Sequence, residues 1–242
     1  FTEYVRHDRL NIISNFTGSA GFAIIFKKNN YLFVDGRYTL QAKKESGKNF
    51  KIVEFPKILP KNLFQNITLG FDPTLYTNLQ LQYFFGKNIK LIPINKNLVD
   101  LIRKPNNKKL GQYFSLPKII AGKSQKYKIS VVSDVIKKNK SDYLFISAPE
   151  NVSWLLNIRG FDIPFSPITN CNCLVGKDKK ILVIGEKNQF KNLLKSRIIS
   201  KSQIVDPKNL NNTIKCLKGE NFIIDEKTCS IFNERLIANK FR

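Results

Sequence analysis

The sequence predicts an α/β protein with two tandem domains, each built on a mixed β-sheet flanked by helices. Three observations predict it: a β-hairpin pattern occurs twice, helical segments follow each hairpin, and 42% of the 242 residues are hydrophobic. This length and composition allow two cores of ordinary size. Because tight hairpins alternate with helical connections, each sheet should contain parallel and antiparallel strands. We expect the domains to span residues 1–110 and 118–242.

The first hairpin lies near the start of the chain. An apolar run at Gly21–Phe26 is followed by a polar turn at Lys27–Asn30 and by a second apolar run at Tyr31–Val34. This arrangement is typical of two antiparallel strands. A helix is predicted at Tyr38–Glu45, with Gly47 just beyond its last turn.

The rest of the first domain should contain another strand and helix. The strand is predicted to end at Phe71, with Asp72 as the N-cap and Pro73 as the first residue of the helix. The polar, turn-rich segment Arg103–Gly111 is predicted to be the linker between the domains.

The second domain is predicted to repeat this plan. A helix at Ser124–Lys138 is indicated by the spacing of its apolar residues Ile129, Val132, Val135 and Ile136. The other predicted elements are a strand at Tyr143–Ile146, a hairpin with strands at Cys171–Gly176 and Ile181–Ile184, and helices at Asn188–Lys195 and Glu226–Ala238.

The two halves also share short motifs in the same order. Asn15-Phe16-Thr17-Gly18 precedes the first hairpin as Asn157-Ile158-Arg159-Gly160 precedes the second, and Asp72 and Asp225 each follow a later strand. Ordered matches of this kind indicate a tandem duplication of one α/β unit. Coincidence between two generic α/β patterns is the alternative.

The charge of the chain raises the question of nucleic acid. There are 41 Lys and Arg residues against 18 Asp and Glu, a net charge of +23, which attracts phosphates. The lysines are spread along the whole chain, without a basic stripe or a zinc-finger spacing. We therefore predict a solvated basic surface and no nucleic-acid partner. A charge-driven nucleic-acid binder is the weaker hypothesis, and a steep loss of binding with salt would reveal it.

Cysteine spacing and hydropathy bear on the compartment. The four cysteines lack paired C-x-x-C spacing, so we interpret them as reduced packing residues of a cytoplasmic protein. No apolar run approaches the roughly 18 residues that cross a bilayer, so we predict no membrane partner. The chain starts at Phe1 and contains no Met, so we expect a fragment of a longer protein. A signal peptide ahead of Phe1 stays open.

Residues for catalysis are scarce. His7 is the only histidine in the sequence, and it lies in a charged run that is typical of a solvated side chain. A Ser-His-Asp triad and an H-E-x-x-H zinc site are therefore not predicted. A glycine-rich phosphate loop is not predicted either, because neither G-x-G-x-x-G nor G-x-x-x-x-G-K-[ST] occurs. We predict no catalytic residue and no metal ligand in this chain.

Two segments carry more polarity than folding requires. The first is Asp35-Gly36-Arg37. A helix N-cap explains Asp35 and a steric requirement explains Gly36, but neither explains Arg37. A fixed guanidinium suits a carboxylate or a peptide carbonyl, so Arg37 is the candidate substrate-binding residue. The second segment runs from Trp154 to Pro164. There we expect Trp154 to pack in the core and Arg159 to pair with Asp162, with ligand binding as the alternative.

These motifs resemble those of the aminopeptidase P family of Xaa-Pro aminopeptidases. The segments Phe16–Ala23 and Phe33–Ala42 are similar to its first domain, and Asn151–Pro164 is similar to the opening of its second. The resemblance covers nearly the whole chain. It departs at Thr74, Tyr76 and Arg103, where Trp or His is common in the family, which puts the domain interface in doubt more than the assignment.

The resemblance implies two creatinase N-terminal-like domains, with the first strand of the first domain expected to be missing. It implies a third domain beyond this chain that holds a dinuclear Mn²⁺ site, and this chain offers no positions for those ligands. The chain would then be the inactive amino-terminal portion of a metallopeptidase that cleaves before proline, shaping access for short proline-containing peptides and helping form a homodimer. Arg37 matches the family's peptide-contacting arginine.

An inactive peptide- or protein-binding scaffold of the same fold is the alternative function. The gene sequence beyond Arg242 would distinguish the two hypotheses, because an enzyme needs metal ligands there.

Overall fold

The chain folds into two compact units, Phe1–Asn107 and Lys108–Arg242. The computed structural model describes residues 9–102, 110–161 and 166–242. His7, most of the predicted linker and the segment Asp162-Ile163-Pro164 lie outside the described residues. In the described ranges no helix has the length and apolar character needed to cross a membrane.

The first unit contains five described strands and five described helices. The strands are β1 (Gly21–Ile24), β2 (Asn30–Asp35), β3 (Phe50–Phe55), β4 (Ile67–Phe71) and β5 (Ile89–Pro93). The helices are α1 (Arg9–Ser14), α2 (Thr39–Ser46), α3 (Pro60–Leu63), α4 (Asn78–Phe85) and α5 (Val99–Ile102). The hairpin strands β1 and β2 are antiparallel, β3 adds parallel to β2, and β4 pairs parallel with β5. The predicted mixture of strand directions is confirmed for the sheet of β1, β2 and β3, whereas the separate pair β4–β5 is purely parallel.

Strand β2 is covered on both faces. Leu32 and Val34 pack with Phe16, Ala42 and Phe50 on the α2 side. On the opposite face Phe33 stacks on Phe22 with ring centroids 4.8 Å apart, and Phe22 stacks in turn on Phe84 of α4. A strand buried on both faces is a near-continuous apolar run, as Tyr31–Val34 is in the sequence.

The predicted start of the helix after β4 is wrong. Asp72 is not its N-cap, because its Oδ1 accepts hydrogen bonds from the backbone N and the hydroxyl of Thr74 in a tight turn. Helix α4 begins five residues later with Thr77 as the N-cap. Thr77 Oγ1 accepts from Gln80 N while Gln80 Oε1 accepts from Thr77 N. This reciprocal capping box satisfies two backbone donors at once and so sets the helix start.

The second unit is larger. Its strands are β6 (Phe114–Ser115), β7 (Tyr143–Ile146), β8 (Ile158–Arg159), β9 (Asn172–Gly176), β10 (Ile181–Ile184), β11 (Ile204–Val205) and β12 (Phe222–Ile224). Its helices are α6 (Lys118–Ala121), α7 (Gln125–Lys138), α8 (Pro149–Leu156), α9 (Lys191–Lys195), α10 (Leu210–Cys216) and α11 (Ile231–Ala238). Five strands form one mixed sheet in the order β11-β10-β9-β7-β12, and β6 pairs with β8.

Helix ends in the second unit follow side-chain caps. Ser124 Oγ accepts from Tyr127 N and starts α7 where the sequence predicts. Val135, predicted to share the apolar stripe of α7, is half exposed instead. The last helix starts at Ile231 rather than Glu226, because Ser230 caps it and Asp225 closes a separate turn on Lys227 and Thr228.

The main sheet of the second unit has a core on each face. Cys171 and Cys173 belong to the core under α7, α8 and α9, and Cys229 belongs to the opposite core with Phe145. Burial raises the pKa of the Cys173 thiol and raises that of Cys229 to about 12, so both stay protonated. All four cysteines are free thiols. Cys216 is exposed, so the packing role predicted for all four is wrong for this one.

The units share part of a strand order. In the first unit, the antiparallel pair β1 and β2 is extended by parallel β3, and in the second β9, β10 and β11 repeat that pattern. Strand β9 has β7 as a further neighbour, whereas β1 is at the edge of its sheet among the described residues. The predicted duplication therefore agrees over three strands and differs at β7.

Candidate functional site

The candidate site lies where β2 ends. Asp35 is the N-cap of a 3₁₀ turn at Gly36–Tyr38, and its Oδ1 accepts from Arg37 N at 3.0 Å. A Cβ added at Gly36 would lie 3.2 Å from Glu54 Oε1, the end of a flexible and partly exposed side chain on β3 that can move aside. The predicted capping role of Asp35 is confirmed, whereas this contact does not make a glycine necessary at position 36.

Arg37 pairs with the same carboxylate. Its Nε donates to Asp35 Oδ1 at 2.8 Å, and its Nη2 donates to Oδ2 at 3.3 Å. This fork lowers the pKa of Asp35 through the hydrogen bonds from Arg37 and raises the pKa of Arg37. Both groups therefore stay charged across the physiological range.

The Arg37 side chain nevertheless remains 74% exposed. Its Nη1 makes no hydrogen bond to any described residue, so two N–H donors of the guanidinium point away from Asp35. Asp35 holds one edge of the fork in place while the other edge stays accessible. A guanidinium fixed in this way is suited to a carboxylate or carbonyl oxygen.

The next residues of the turn tie the site to the loop ahead of β1. The Tyr38 ring lies 5.5 Å from the Arg37 guanidinium carbon, and its hydroxyl is 2.9 Å from Ser19 Oγ. Thr17 lies on the same loop. Its backbone N and its hydroxyl donate to the carboxylate of Glu45 on α2 at 2.8 and 2.9 Å. The hydrogen bond from Thr17 N is the main cause of the lowered Glu45 pKa. These contacts fix the loop and the turn beside Arg37.

The Trp154 segment of the second unit differs from expectation. Trp154 is 53% exposed, so the predicted core packing is wrong. The ring instead covers Lys128, whose Nζ lies 4.5 Å from a ring centroid. Arg159 Nη1 donates to the carbonyls of Ser153 and Ile158. Its predicted partner Asp162 lies outside the described residues.

Lys128 is a buried charged residue that the sequence did not point to. It is 4% exposed, and its Nζ donates to Trp154 O at 2.8 Å and to Asn157 Oδ1 at 2.6 Å. Burial lowers the pKa of Lys128, and the nearby charge of Arg159 lowers it further. The available signal was a lysine on the apolar stripe of α7, one residue before Ile129 and four before Val132.

The described residues contain no cluster of metal-ligating side chains. In residues 9–102, 110–161 and 166–242, no group of three or more His, Cys, Asp or Glu side chains is placed to hold a metal ion. These residues therefore do not fit a dinuclear centre, and metal chemistry has no support from their side chains.

Comparison with protein families gives two matches. Residues 6–104 and residues 103–241 each match a family described as creatinase/prolidase N-terminal domain. Together the matches run almost from end to end, and they meet at the predicted linker.

Two curated relatives are similar over most of the chain. A probable Xaa-Pro aminopeptidase P of Coprinopsis cinerea is 32% identical over 207 residues, covering 77% of this chain and 33% of the relative. Aminopeptidase P1 of Arabidopsis thaliana is 31% identical over 199 residues, covering 77% of this chain and 31% of the relative. The chain therefore spans about a third of the length of these relatives.

A solved structure has a similar fold. It is an X-prolyl aminopeptidase from Caenorhabditis elegans, described as a cytosolic enzyme with a di-nuclear active site. The TM-score is 0.72 at 24% identity, over 85% of this chain and 36% of that one. The likeness shows the fold of this chain.

Proposed function

This chain belongs to the creatinase/prolidase N-terminal domain family, and we propose that it is the non-catalytic amino-terminal part of an Xaa-Pro aminopeptidase. The parent enzyme would remove an N-terminal residue that precedes proline. The observation that carries the proposal is the set of relatives named Xaa-Pro aminopeptidase, which are 31–34% identical over 73–81% of the chain.

The side chains of the described residues favour a role outside the catalytic centre. The described residues offer no metal ligand set, so a dinuclear centre, which we propose contains Mn²⁺, would belong to a domain beyond this chain. Such a centre supplies an activated water for peptide hydrolysis. This chain would control which substrates reach that centre. We propose that its two domains, residues 1–110 and 118–242, shape the entrance so that short peptides can enter.

Arg37 is our candidate for peptide contact. Asp35 fixes the Nε and Nη2 edge of the guanidinium, while the exposed Nη1 edge is free to donate to a peptide carboxylate or carbonyl. Because the fork is already oriented, little side-chain entropy is lost on binding. The arginine would thus bind and orient the peptide without taking part in proton transfer.

The assembly and compartment are part of the same proposal. We place the parent enzyme in the cytoplasm, which agrees with four free thiols, and we propose that it is a homodimer. Nucleic acid and membrane are not among its partners.

The proposal is tested with two samples. The longer protein that contains this chain, supplied with Mn²⁺, should release the first residue of an Xaa-Pro-Pro peptide, and the purified 242-residue chain should not. Turnover by the 242-residue chain, after contaminating peptidases are removed, would show that the catalytic machinery lies here. Peptide binding without hydrolysis by the longer protein would instead establish an inactive scaffold.

A further inference from the structure

The loop ahead of β1 places a second polar group beside the turn that carries Arg37. Ser19 is exposed, and its Oγ lies 2.9 Å from the hydroxyl oxygen of Tyr38. The Tyr38 ring in turn lies beside Arg37, with 5.5 Å between the ring centre and the guanidinium carbon. The backbone N of Asp35 also donates to Ala20 O at 3.5 Å, which brings the loop to the end of β2. Ser19 and Arg37 therefore lie near each other on the surface of the first unit.

The two hydroxyls of Ser19 and Tyr38 cannot use both of their hydrogen atoms on each other. Each has one O–H donor, and the single contact between them uses only one. A phenol is a stronger hydrogen-bond donor than an aliphatic alcohol, so Tyr38 donates to Ser19 Oγ. Among the described residues the Ser19 hydroxyl hydrogen has no other acceptor, so it is available to a ligand. Accepting from Tyr38 also makes Ser19 a stronger donor, because linked hydrogen bonds polarise one another.

The loop is held in place two residues before Ser19. The backbone N and the hydroxyl of Thr17 donate to the Glu45 carboxylate, and Gln41 Nε2 donates to the Thr17 hydroxyl at 2.8 Å. The Ser19 hydroxyl is therefore positioned before a ligand arrives, which lowers the entropy cost of binding.

Packing against the core fixes the other side of the loop. The ring of Phe16 is buried and meets the Tyr38 ring edge-on, with centroids 5.9 Å apart. A Cβ added at Gly18 would overlap Cζ of the Phe16 ring, which cannot move aside inside the core. Glycine at this position lets the loop lie close against Phe16, so that Ser19 comes within hydrogen-bond distance of Tyr38.

One extended peptide can reach both groups. The path from the Arg37 guanidinium to Ser19 Oγ crosses a single phenol ring, through the separations of 5.5 Å and 2.9 Å given above. An extended chain covers about 3.3–3.6 Å per residue, so the two groups are at most about three residues apart along a bound peptide. Arg37 and Ser19 can therefore donate to two carbonyl oxygens of one peptide backbone.

The charges around these donors favour a neutral carbonyl over a terminal carboxylate. The hydrogen bonds from Arg37 lower the pKa of Asp35, and the hydrogen bond from Thr17 N lowers that of Glu45. Both carboxyl groups are therefore ionised at neutral pH. A peptide carboxylate placed beside them would be repelled, whereas a carbonyl oxygen would not.

The second unit has no such pair of hydroxyls at the aligned positions. Phe161 stands where Ser19 stands in the first unit, and Gln189 stands where Tyr38 stands. Phe161 has no polar group in its side chain, and Gln189 is buried. The hydroxyl pair thus belongs to the unit that carries Arg37.

We propose that Ser19 is a second peptide-binding residue, which donates to a backbone carbonyl at most about three residues from the carbonyl that Arg37 binds. Tyr38 acts through Ser19 and is a positioning residue. This inference rests on the proposed function and adds a substrate preference to it. Peptides long enough to reach both Arg37 and Ser19 are favoured over shorter ones.

A series of peptides that differ only in length tests the inference. An Xaa-Pro peptide with a C-terminal amide is extended by one glycine at a time, so that each step adds a backbone carbonyl and no charge. With the longer protein that contains this chain, kcat/KM should rise roughly three- to tenfold at one step and then level off, as expected for one added hydrogen bond.

Variants assign this rise to a residue. Ser19→Ala should abolish the rise while kcat/KM for the shortest peptide stays within about twofold, because a defect in the loop would lower kcat/KM at every length. Ser19→Thr keeps the hydroxyl and should retain the rise. Tyr38→Phe keeps the ring beside Arg37 and should reduce the rise. Ser202→Ala is the matched control, because Ser202 is exposed and its Oγ lies 2.9 Å from another hydroxyl, that of Ser200.

The outcomes separate this inference from the proposed function. A rise of the same size in Ser19→Ala would overturn the inference, as would a kcat/KM that does not change with peptide length in the unmodified protein. Failure of the unmodified protein to cleave any peptide of the series would overturn the proposed function, and this inference with it.

Discussion

The two units share the order and direction of three strands, but they differ in the side chains that follow the second strand of the hairpin. In each, a helix that ends at a left-handed asparagine leads to a hairpin, and a third strand adds parallel to the second strand of the hairpin. In each, an acidic residue, Asp35 or Glu186, then precedes a 3₁₀ turn.

The side chains at this strand end have different roles. Asp35 caps its turn and holds Arg37, whereas the Glu186 side chain does not cap the turn that begins at Lys187. The same turn therefore forms without the acidic cap and without the arginine fork. This difference supports the proposal that the Asp35–Arg37 pair serves peptide binding.

The largest expected effect comes from Arg37. In the longer enzyme, Arg37→Ala should reduce kcat/KM by roughly ten- to a hundredfold, the loss expected when a hydrogen bond to a charged group is removed. Arg37→Lys should restore only part of this, because an ammonium keeps the charge but loses the fork. Steady-state kinetics with an Xaa-Pro-Pro peptide measure both variants.

Its matched control is a cation in the corresponding turn of the second unit, Lys187, which lies one residue before the position that aligns with Arg37. Lys187→Ala removes a cation just after the corresponding strand and should leave kcat/KM unchanged. Thermal melts of the Arg37 variants exclude a folding defect. A large drop in Tm with normal kcat/KM for the folded fraction would make Arg37 a structural residue and remove it from the site.

The helices ahead of the two hairpins also end in different ways. At the end of α1, the Asn11 side chain donates to Phe16 O at 3.3 Å. At the end of α8, the ammonium of Lys128 contacts Trp154 O and the side chain of Asn157. A cation at a helix carboxyl end is favoured by the helix dipole and by the exposed carbonyls. The second unit thus has a buried ammonium bonded within the last turn of its helix, where the first unit has a neutral amide bonded to a carbonyl just beyond the helix.

Replacing Lys128 tests how much this cation contributes. Lys128→Met keeps the length of the side chain but leaves two buried acceptors without their donor, so the free energy of unfolding should fall by about 1–3 kcal/mol. Urea denaturation measures it. Lys126→Met, two residues away on the exposed side of α7, should change it by less than about 0.5 kcal/mol. Equal effects of the two variants would mean that the contacts of Lys128 add nothing.

Local signals in the sequence account for much of the fold. The strand Tyr143–Ile146 and the start of α7 at Ser124 were predicted where they occur, because an apolar run and a serine cap are local. Local signals also gave the wrong start for α4. Asp72-Pro73 is typical of a helix start, but the capping box of Thr77 and Gln80 is the stronger signal.

The site residues depend on contacts that are distant in sequence. Arg37 was identified because capping and turn geometry left it unexplained, although the sequence did not predict that Asp35 would hold it. The exposure of Trp154 was missed because Lys128, 26 residues earlier, occupies the space beneath the ring. A tertiary contact of this kind leaves no periodic pattern in the sequence.

The remaining difference between the units is strand β7, which lies between β9 and β12 in the second sheet, and Asp142 lies beside it. Its carboxylate lies just ahead of β7 and accepts from Glu220 N at 2.8 Å and Asn221 N at 3.1 Å, both ahead of β12, and from Lys177 Nζ at 2.7 Å in the β9–β10 turn. One side chain therefore ties together three neighbouring strands. The hydrogen bond from Lys177, followed by those from the two backbone N–H groups, lowers the pKa of Asp142 to about 2.

The smallest effect, and the one with a pH signature, is expected from Asp142→Asn. A carboxyl with a lowered pKa in the folded state stabilises that state above its unfolded pKa of about 4, and this stability is lost as the pH falls towards 2. The substitution should therefore cost about 1–2 kcal/mol in the free energy of unfolding at pH 6 and less at pH 3. Urea titrations at both pH values measure it, with Asp134→Asn, an exposed carboxylate on α7, as the control that should change little. A cost for Asp142→Asn that is the same at pH 6 and pH 3 would show that the charge of Asp142 does not hold the three strands together.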